Sequence, residues 1–445
     1  MTKRAQGGGA TRRSVKILVV AVSVLFALAL AEVVLRVAGY SYPVFYTTDA
    51  ARGYALKPGM EGWYRKEGES YVRINSDGLR DREHALEKPP NTLRVAVVGD
   101  SYAEALQVEQ EAAFWSVAER LLRECPALAG REVEFINFGV SGYGTAQELI
   151  TLRERVWTYA PDVVLLAFTT NNDITDNSRA LKRTDEIPYF VRRDGRLVLD
   201  DSFKETSAFR LRDSALNRAA KWVRDRSRVI QLGHQAHGAI KTFIASRHAA
   251  PSTNAATAGG TTNDSNSAHD AARGASDNAN GTTNNANGAS VNANGGGAAA
   301  LEEVGIDNLI YREPKDAIWE EAWAVTEDLL KTMRAETEAR GARFLVVTTS
   351  NAVQVVPDPA LREQFMRRVG SADLFYPDRR VKSLGEREGF RVLNLAPALR
   401  DYADEHRVFL HGFGPSVGRN GHWNADGHRV AGQLVAQELC AMLSN

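Results

Sequence analysis

Cysteine is almost absent: Cys125 and Cys440 are the only two in 445 residues. So few exclude a disulfide-stapled scaffold, and their spacing does not suit a cysteine zinc site. An excess of either charge is also missing, with Lys+Arg and Asp+Glu at 55 each. That balance gives no reason to expect a nucleic-acid partner and leaves no acidic solvating tail. No glycine-rich loop leads into the lysine that would cradle phosphates. His411, His422 and His428 lack a metalloenzyme spacing and an accompanying acidic cluster. No cofactor is implied. Long apolar runs are missing too, except in one place.

That place is the N-terminus. Lys3, Arg4, Arg12, Arg13 and Lys16 precede an apolar run from Ile17 to Ala31, which resumes after Glu32. Continued to Ala38, the run is long enough to cross a hydrocarbon core of about 30 Å. The basic flank keeps the N-terminus in the cytoplasm and sends the rest across. The expectation is a single-pass protein of the cytoplasmic (inner) membrane with its main domain extracytoplasmic, or periplasmic. Ala29-Leu30-Ala31 keeps a cleaved signal peptide open as a rival, and a buried core helix is a third option. Apolar character persisting past Glu32 favours the uncleaved anchor.

Beyond it, the chain divides into a tail (1–13), the anchor (14–38), a lead-in (39–90) and a main α/β domain (91–445). The lead-in is polar and aromatic, with turn signals at Lys57-Pro58-Gly59 and Ser76-Asp77-Gly78, and is expected to be strand-rich. In the main domain, strands are expected at Leu93–Val98, Val133–Asn137, Asp162–Thr169, Arg343–Thr349 and Phe390–Leu395. Helices are expected at Phe114–Glu124, from Thr145, at Ile318–Ala339 and at Asn424–Leu443. Thr145 and Glu148 are spaced as a capping box. Continuous apolar strands alternating with helices predict a doubly wound five-stranded parallel sheet. An insertion (177–249) carries a hairpin near Arg192–Arg196 and then a basic helical segment, read as a solvated helix face. A stretch of Asn, Gly, Ala, Ser and Thr (250–300) buries too little to offset its ordering entropy and is expected to be a disordered loop.

Chemistry is expected at the carboxyl end of such a sheet. Val95-Ala96-Val97-Val98 ends in Gly99-Asp100-Ser101, which delivers a hydroxyl there; Ser101 is either a helix N-cap or a nucleophile. The second strand ends in Asn137-Phe138-Gly139-Val140-Ser141-Gly142, where Gly139 offers a backbone amide. The third ends in Thr170-Asn171-Asn172-Asp173, where Asn172 offers a side-chain amide. Gly421-His422-Trp423-Asn424 precedes the last helix and offers a base. Ser141 does not complete a Gly-x-Ser-x-Gly elbow.

In these four blocks the chain resembles the SGNH (GDSL-type) hydrolase superfamily, in its membrane-anchored bacterial branch, over residues 91–176 and 342–445. The resemblance implies a flavodoxin-like sheet, Ser101 as nucleophile, His422 as base, and Gly139 and Asn172 as oxyanion donors. It also implies an ester hydrolase or O-acyltransferase acting on acyl or acetyl esters of envelope carbohydrate or lipid. Two positions depart from the pattern. Thr170 replaces a glycine, and Arg419 and Asn420 stand where the family carries the aspartate partner of the histidine. The expectation is therefore a Ser101–His422 pair oriented by Asn420 or a backbone carbonyl, with Asp426 as a substitute acid or simply a favourable charge at a helix start. The missing acid also keeps open a non-catalytic reading: an envelope polysaccharide assembly or glycan-binding protein on the same scaffold. A flavodoxin-like strand order would put the first and last helices on one face. Two buried thiols are then the default, and a Cys125–Cys440 bridge is the alternative.

Overall fold

The computed structural model describes residues 8–248, 306–414 and 421–444. The low-complexity stretch 250–300 and Asn420 lie outside the described residues. Two compact units separate along the chain: residues 8–44 with 214–248, and residues 45–213 with the described residues from 306 onward.

The first unit holds the helix Gly8–Val37, followed in sequence much later by the helices Ala215–Arg226 and Arg228–His248. Ser14–Val37 is apolar over 24 residues, and none of it is buried in protein. A core helix would be covered, so the buried-helix option falls.

The second unit begins with two antiparallel hairpins, β1 (Tyr46–Asp49) with β2 (Gly53–Leu56), and β3 (Glu61–Tyr64) with β4 (Ser70–Arg73). Five further strands form one parallel sheet: β5 (Thr92–Gly99), β6 (Glu132–Asn137), β7 (Val163–Thr169), and, after a surface hairpin β8 (Tyr189–Arg193) and β9 (Arg196–Asp200), β10 (Arg343–Thr349) and β11 (Arg391–Asn394). Their order is β11-β10-β7-β5-β6, the flavodoxin-like arrangement with its switch point between β5 and β7. β5 and β7 are buried along their whole length. Their alternate residues therefore serve two cores. Ala96, Val98, Val164, Leu166 and Phe168 pack under helices Thr145–Glu154, Ala317–Glu338 and Tyr376–Glu388. Val95, Val97, Val163 and Leu165 pack under Phe114–Leu122, Leu395–His406 and Ala425–Ser444.

On that second face Cys125 and Cys440 are bridged, with their Cα atoms 5.7 Å apart. The first and last helices meet there, so the alternative to two buried thiols is the one realised. The Thr145–Glu148 capping box does not form. Gly144 is the N-cap, and Glu148 turns into the protein, with both carboxyl oxygens buried and without a hydrogen-bond partner. Burial, together with the charges of Asp100 and Asp176, pushes its pKa well above the usual carboxylate range, favouring the neutral acid.

The lead-in hairpins pack where the site lies. Phe45, Leu56, Val72 and Ile74 share a small core with Leu106, Val140 and Tyr143 from the loops after β5 and β6.

Candidate active site

Gly99 ends β5, and the chain enters the short helix Ser101–Glu104. Its N-cap is Asp100, whose Oδ1 accepts from the Tyr102 amide at 3.0 Å. With the cap supplied by its neighbour, Ser101 keeps its hydroxyl for another partner. That partner is His422, whose Nε2 lies 2.8 Å from Ser101 Oγ.

The other ring nitrogen decides the proton inventory. His422 Nδ1 is 2.6 Å from Glu67 Oε2, and the His422 amide donates to Glu67 Oε1 at 2.7 Å. A carboxylate accepts, so Nδ1 carries the proton and Nε2 presents its lone pair to the serine O–H. Burial alone would raise Glu67, but the imidazole's hydrogen bonds and charge outweigh it and hold the carboxyl below its usual range. Burial alone would lower His422, but Glu67 outweighs it and the imidazole ends above its ordinary value. Both side chains are about five-sixths covered, with 16% and 17% exposed.

Glu67 is a correction to the sequence expectation. The expected partner of Nδ1 is Asn420, which is outside the described residues, or a backbone carbonyl; Nδ1 instead faces an acid from the tip between β3 and β4. Asp426 pairs instead with Arg429 at 3.1 Å on the exposed start of the last helix. Two glycines let the hairpin tip reach the histidine. Gly68 has φ +70, and a Cβ there would strike the Gln107 carbonyl oxygen. Gly421 has φ +109, and a Cβ there would overlap Glu67 Oε1 itself.

The histidine backbone is fixed from its other side. Gly412 donates to the His422 carbonyl at 2.9 Å and Asn424 to the Leu410 carbonyl at 3.0 Å, making a short antiparallel bridge. Beside it, His411 Nδ1 is 2.8 Å from the Gly421 carbonyl, so this nitrogen must donate. Its Nε2 then accepts from Ser350 Oγ at 3.0 Å, which in turn accepts from Trp423 Nε1 at 2.8 Å. Burial pushes His411 down to about 4, so it stays neutral and holds this chain across the working pH range.

The expected oxyanion donors are placed differently from one another. Asn172 Nδ2 donates to Asp100 Oδ2 at 3.1 Å, and Thr169 Oγ1 donates to Asp100 Oδ1 at 3.0 Å. Asp100 is therefore a buried clamp that aims the amide, which has a second N–H to offer. The Gly139 amide donates to Asn137 Oδ1 at 2.9 Å. In this free site an incoming oxygen would have to compete with Asn137 for it. Packing also calls for glycine at 139: a Cβ there would come within 2.5 Å of Ala103 Cβ and 2.6 Å of the Glu104 amide. The Thr170 side chain is buried, and its hydroxyl accepts from Asn351 Nδ2 at 3.3 Å, so it packs inward.

No family model and no curated protein matches the chain. Among solved structures it is similar to an acetyl xylan esterase (10% identity, 78% of this chain and 100% of that one, TM-score 0.35). It is also similar to a variant acetyl-xylooligosaccharide esterase from Geobacillus Stearmophilus (10%, 78% and 94%, TM-score 0.34). A third is the lipase/acylhydrolase from Enterococcus faecalis (11%, 79% and 96%, TM-score 0.32). A five-stranded parallel sheet in the order β11-β10-β7-β5-β6, with the Ser101, Gly139 and Asn172 blocks following β5, β6 and β7 and His422 before the last helix, is the flavodoxin-like arrangement that the resemblance to the SGNH (GDSL-type) hydrolases implies.

Proposed function

We propose that this protein is an extracytoplasmic serine ester hydrolase, with Ser101 as nucleophile, His422 as general base and Glu67 as the orienting acid. The single observation that carries the reading is the continuous Ser101–His422–Glu67 relay, at 2.8 and 2.6 Å. Ser101 Oγ attacks the ester carbonyl while His422 Nε2 takes its proton, and the imidazolium then protonates the leaving alcohol. Glu67 stabilises the imidazolium and holds its tautomer. The Ser101 amide and the second N–H of Asn172 face the developing oxyanion. Water, or an acceptor hydroxyl in the transferase variant of the same chemistry, completes the cycle.

The non-catalytic reading rested on the absence of an acid, and Glu67 removes that reason. The apolar helix at residues 14–37 suits an anchor, and the disulfide in the hydrolase unit suits an oxidising compartment outside the cytoplasm. Acyl or acetyl esters of envelope carbohydrate or lipid are the substrate class that fits this location. Hydrolysis of p-nitrophenyl acetate tests the assignment. Ser101→Ala is expected to reduce turnover to background, and undiminished turnover in a folded Ser101→Ala protein would overturn it.

A further inference from the structure

The basic segment after residue 213 has no part in the chemistry above, yet its apolar residues are unusually bare. In the helix Ala215–Arg226, Leu216 is 85% exposed, Trp222 57% and Val223 43%. At about 100° per residue, these three fall with Ala215, Ala219 and Ala220 on one stripe, while Arg218, Lys221 and Arg224 fall opposite. Arg226 lies against the stripe with its guanidinium 4.2 Å from the Trp222 ring. The helix holds four cations and one anion. A stripe of this kind in a soluble helix would face a core.

What lies beside it is the candidate span. Arg36 Nη2 donates to the Arg226 carbonyl at 2.6 Å. Glu32 accepts from Ser227 Oγ and from the amides of Arg228 and Val229 at 3.0–3.1 Å, so a carboxylate of the apolar helix begins the helix Arg228–His248. Glu32 is five residues before the end of the apolar segment at Val37, or about 7.5 Å along its axis. The segment's 24 residues cover about 36 Å against a hydrocarbon core of about 30 Å. The end of the helix Ala215–Arg226 is thereby tied to the C-terminal end of the apolar segment, through Arg36 and Glu32.

We propose that the helix Ala215–Arg226 lies in the membrane interface, its Leu216–Ala219–Ala220–Trp222–Val223 stripe among the acyl chains and Arg218, Lys221 and Arg224 at an anionic lipid surface. The occupant of the stripe is lipid because the helix is hydrogen-bonded to the end of an apolar span and its polar face is basic. The inference rests on reading residues 14–37 as a retained span.

The bridge between Cys125 and Cys440 leaves no native thiol, so one introduced cysteine labels alone. Full-length Leu216→Cys, Val223→Cys, Lys221→Cys and Leu25→Cys proteins would each carry an environment-sensitive fluorophore. They would be reconstituted in phosphatidylcholine–phosphatidylglycerol vesicles with and without acyl-chain bromines, and fluorophosphonate labelling would verify that each is folded. Blue-shifted emission and bromine quenching are expected at 216, 223 and 25, with neither at 221. Quenching at 25 without quenching at 216 and 223 would overturn the interfacial helix and keep the span. Disulfide cross-linking of two copies through 216 in that state would assign the stripe to a second copy instead. No quenching at 25 would overturn the span, and the interfacial helix with it.

Discussion

At His422 the two ring nitrogens face a serine hydroxyl and a carboxylate, and the second contact sets the reactivity of the first. Burial would favour the neutral ring, yet Glu67 outweighs it and raises the imidazole. The proposed general base needs the neutral ring, so kcat/KM is expected to rise with pH through a limb above the ordinary imidazole value. Glu67→Gln removes the raising charge, so that limb should move to lower pH. The loss of imidazolium stabilisation should also lower kcat by about 10²–10⁴-fold. A pH–rate profile on p-nitrophenyl acetate reads both effects; an unmoved limb would take Glu67 out of the relay. Ser101 and His422 were legible because local sequence surrounds them with signals: an apolar strand, a glycine, a start of helix. Glu67 had none. It lies 355 residues from its partner in a Lys66-Glu67-Gly68-Glu69 tip, where nothing local separates it from Glu69 or from an ordinary hairpin turn.

Elements carry the site by meeting at the carboxyl edge of the sheet. The five parallel strands and their alternating helices follow from apolar runs and spacing, whereas their order was implied by the resemblance. Contacts between elements were less legible. The lead-in reads as a strand-rich segment packed on the main domain, but nothing local marks its hairpin tip as the source of an acid for the site, nor Tyr46 as the donor to Glu104, at the end of the helix Ser101–Glu104, at 2.9 Å. The Cys125–Cys440 bridge likewise depends on which helices share a face. It joins the turn after the first sheet-flanking helix to the terminal helix, on the face opposite Glu148. Replacing both cysteines by alanine should lower unfolding stability by about 2–5 kcal/mol in denaturant titration while p-nitrophenyl acetate turnover persists. Unchanged stability would show that packing alone holds these elements together.

For the whole molecule, the proposed function divides the work between the two units: attachment for the one holding the apolar helix, ester chemistry for the one holding Ser101, His422 and Glu67. Retention of the anchor has a direct readout. Protein recovered from the membrane fraction should keep the residues before Ala31 by N-terminal mass spectrometry, whereas a start just after Ala31 would identify a cleaved signal peptide. Ester hydrolysis as proposed requires Ser101 to be an activated nucleophile. Fluorophosphonate labelling followed by peptide mapping tests it without knowledge of the natural ester. An adduct on the Ser101 peptide is expected, absent in Ser101→Ala and formed more slowly in Glu67→Gln. A folded wild-type protein that takes no adduct, or takes it at another residue, would contradict the assignment.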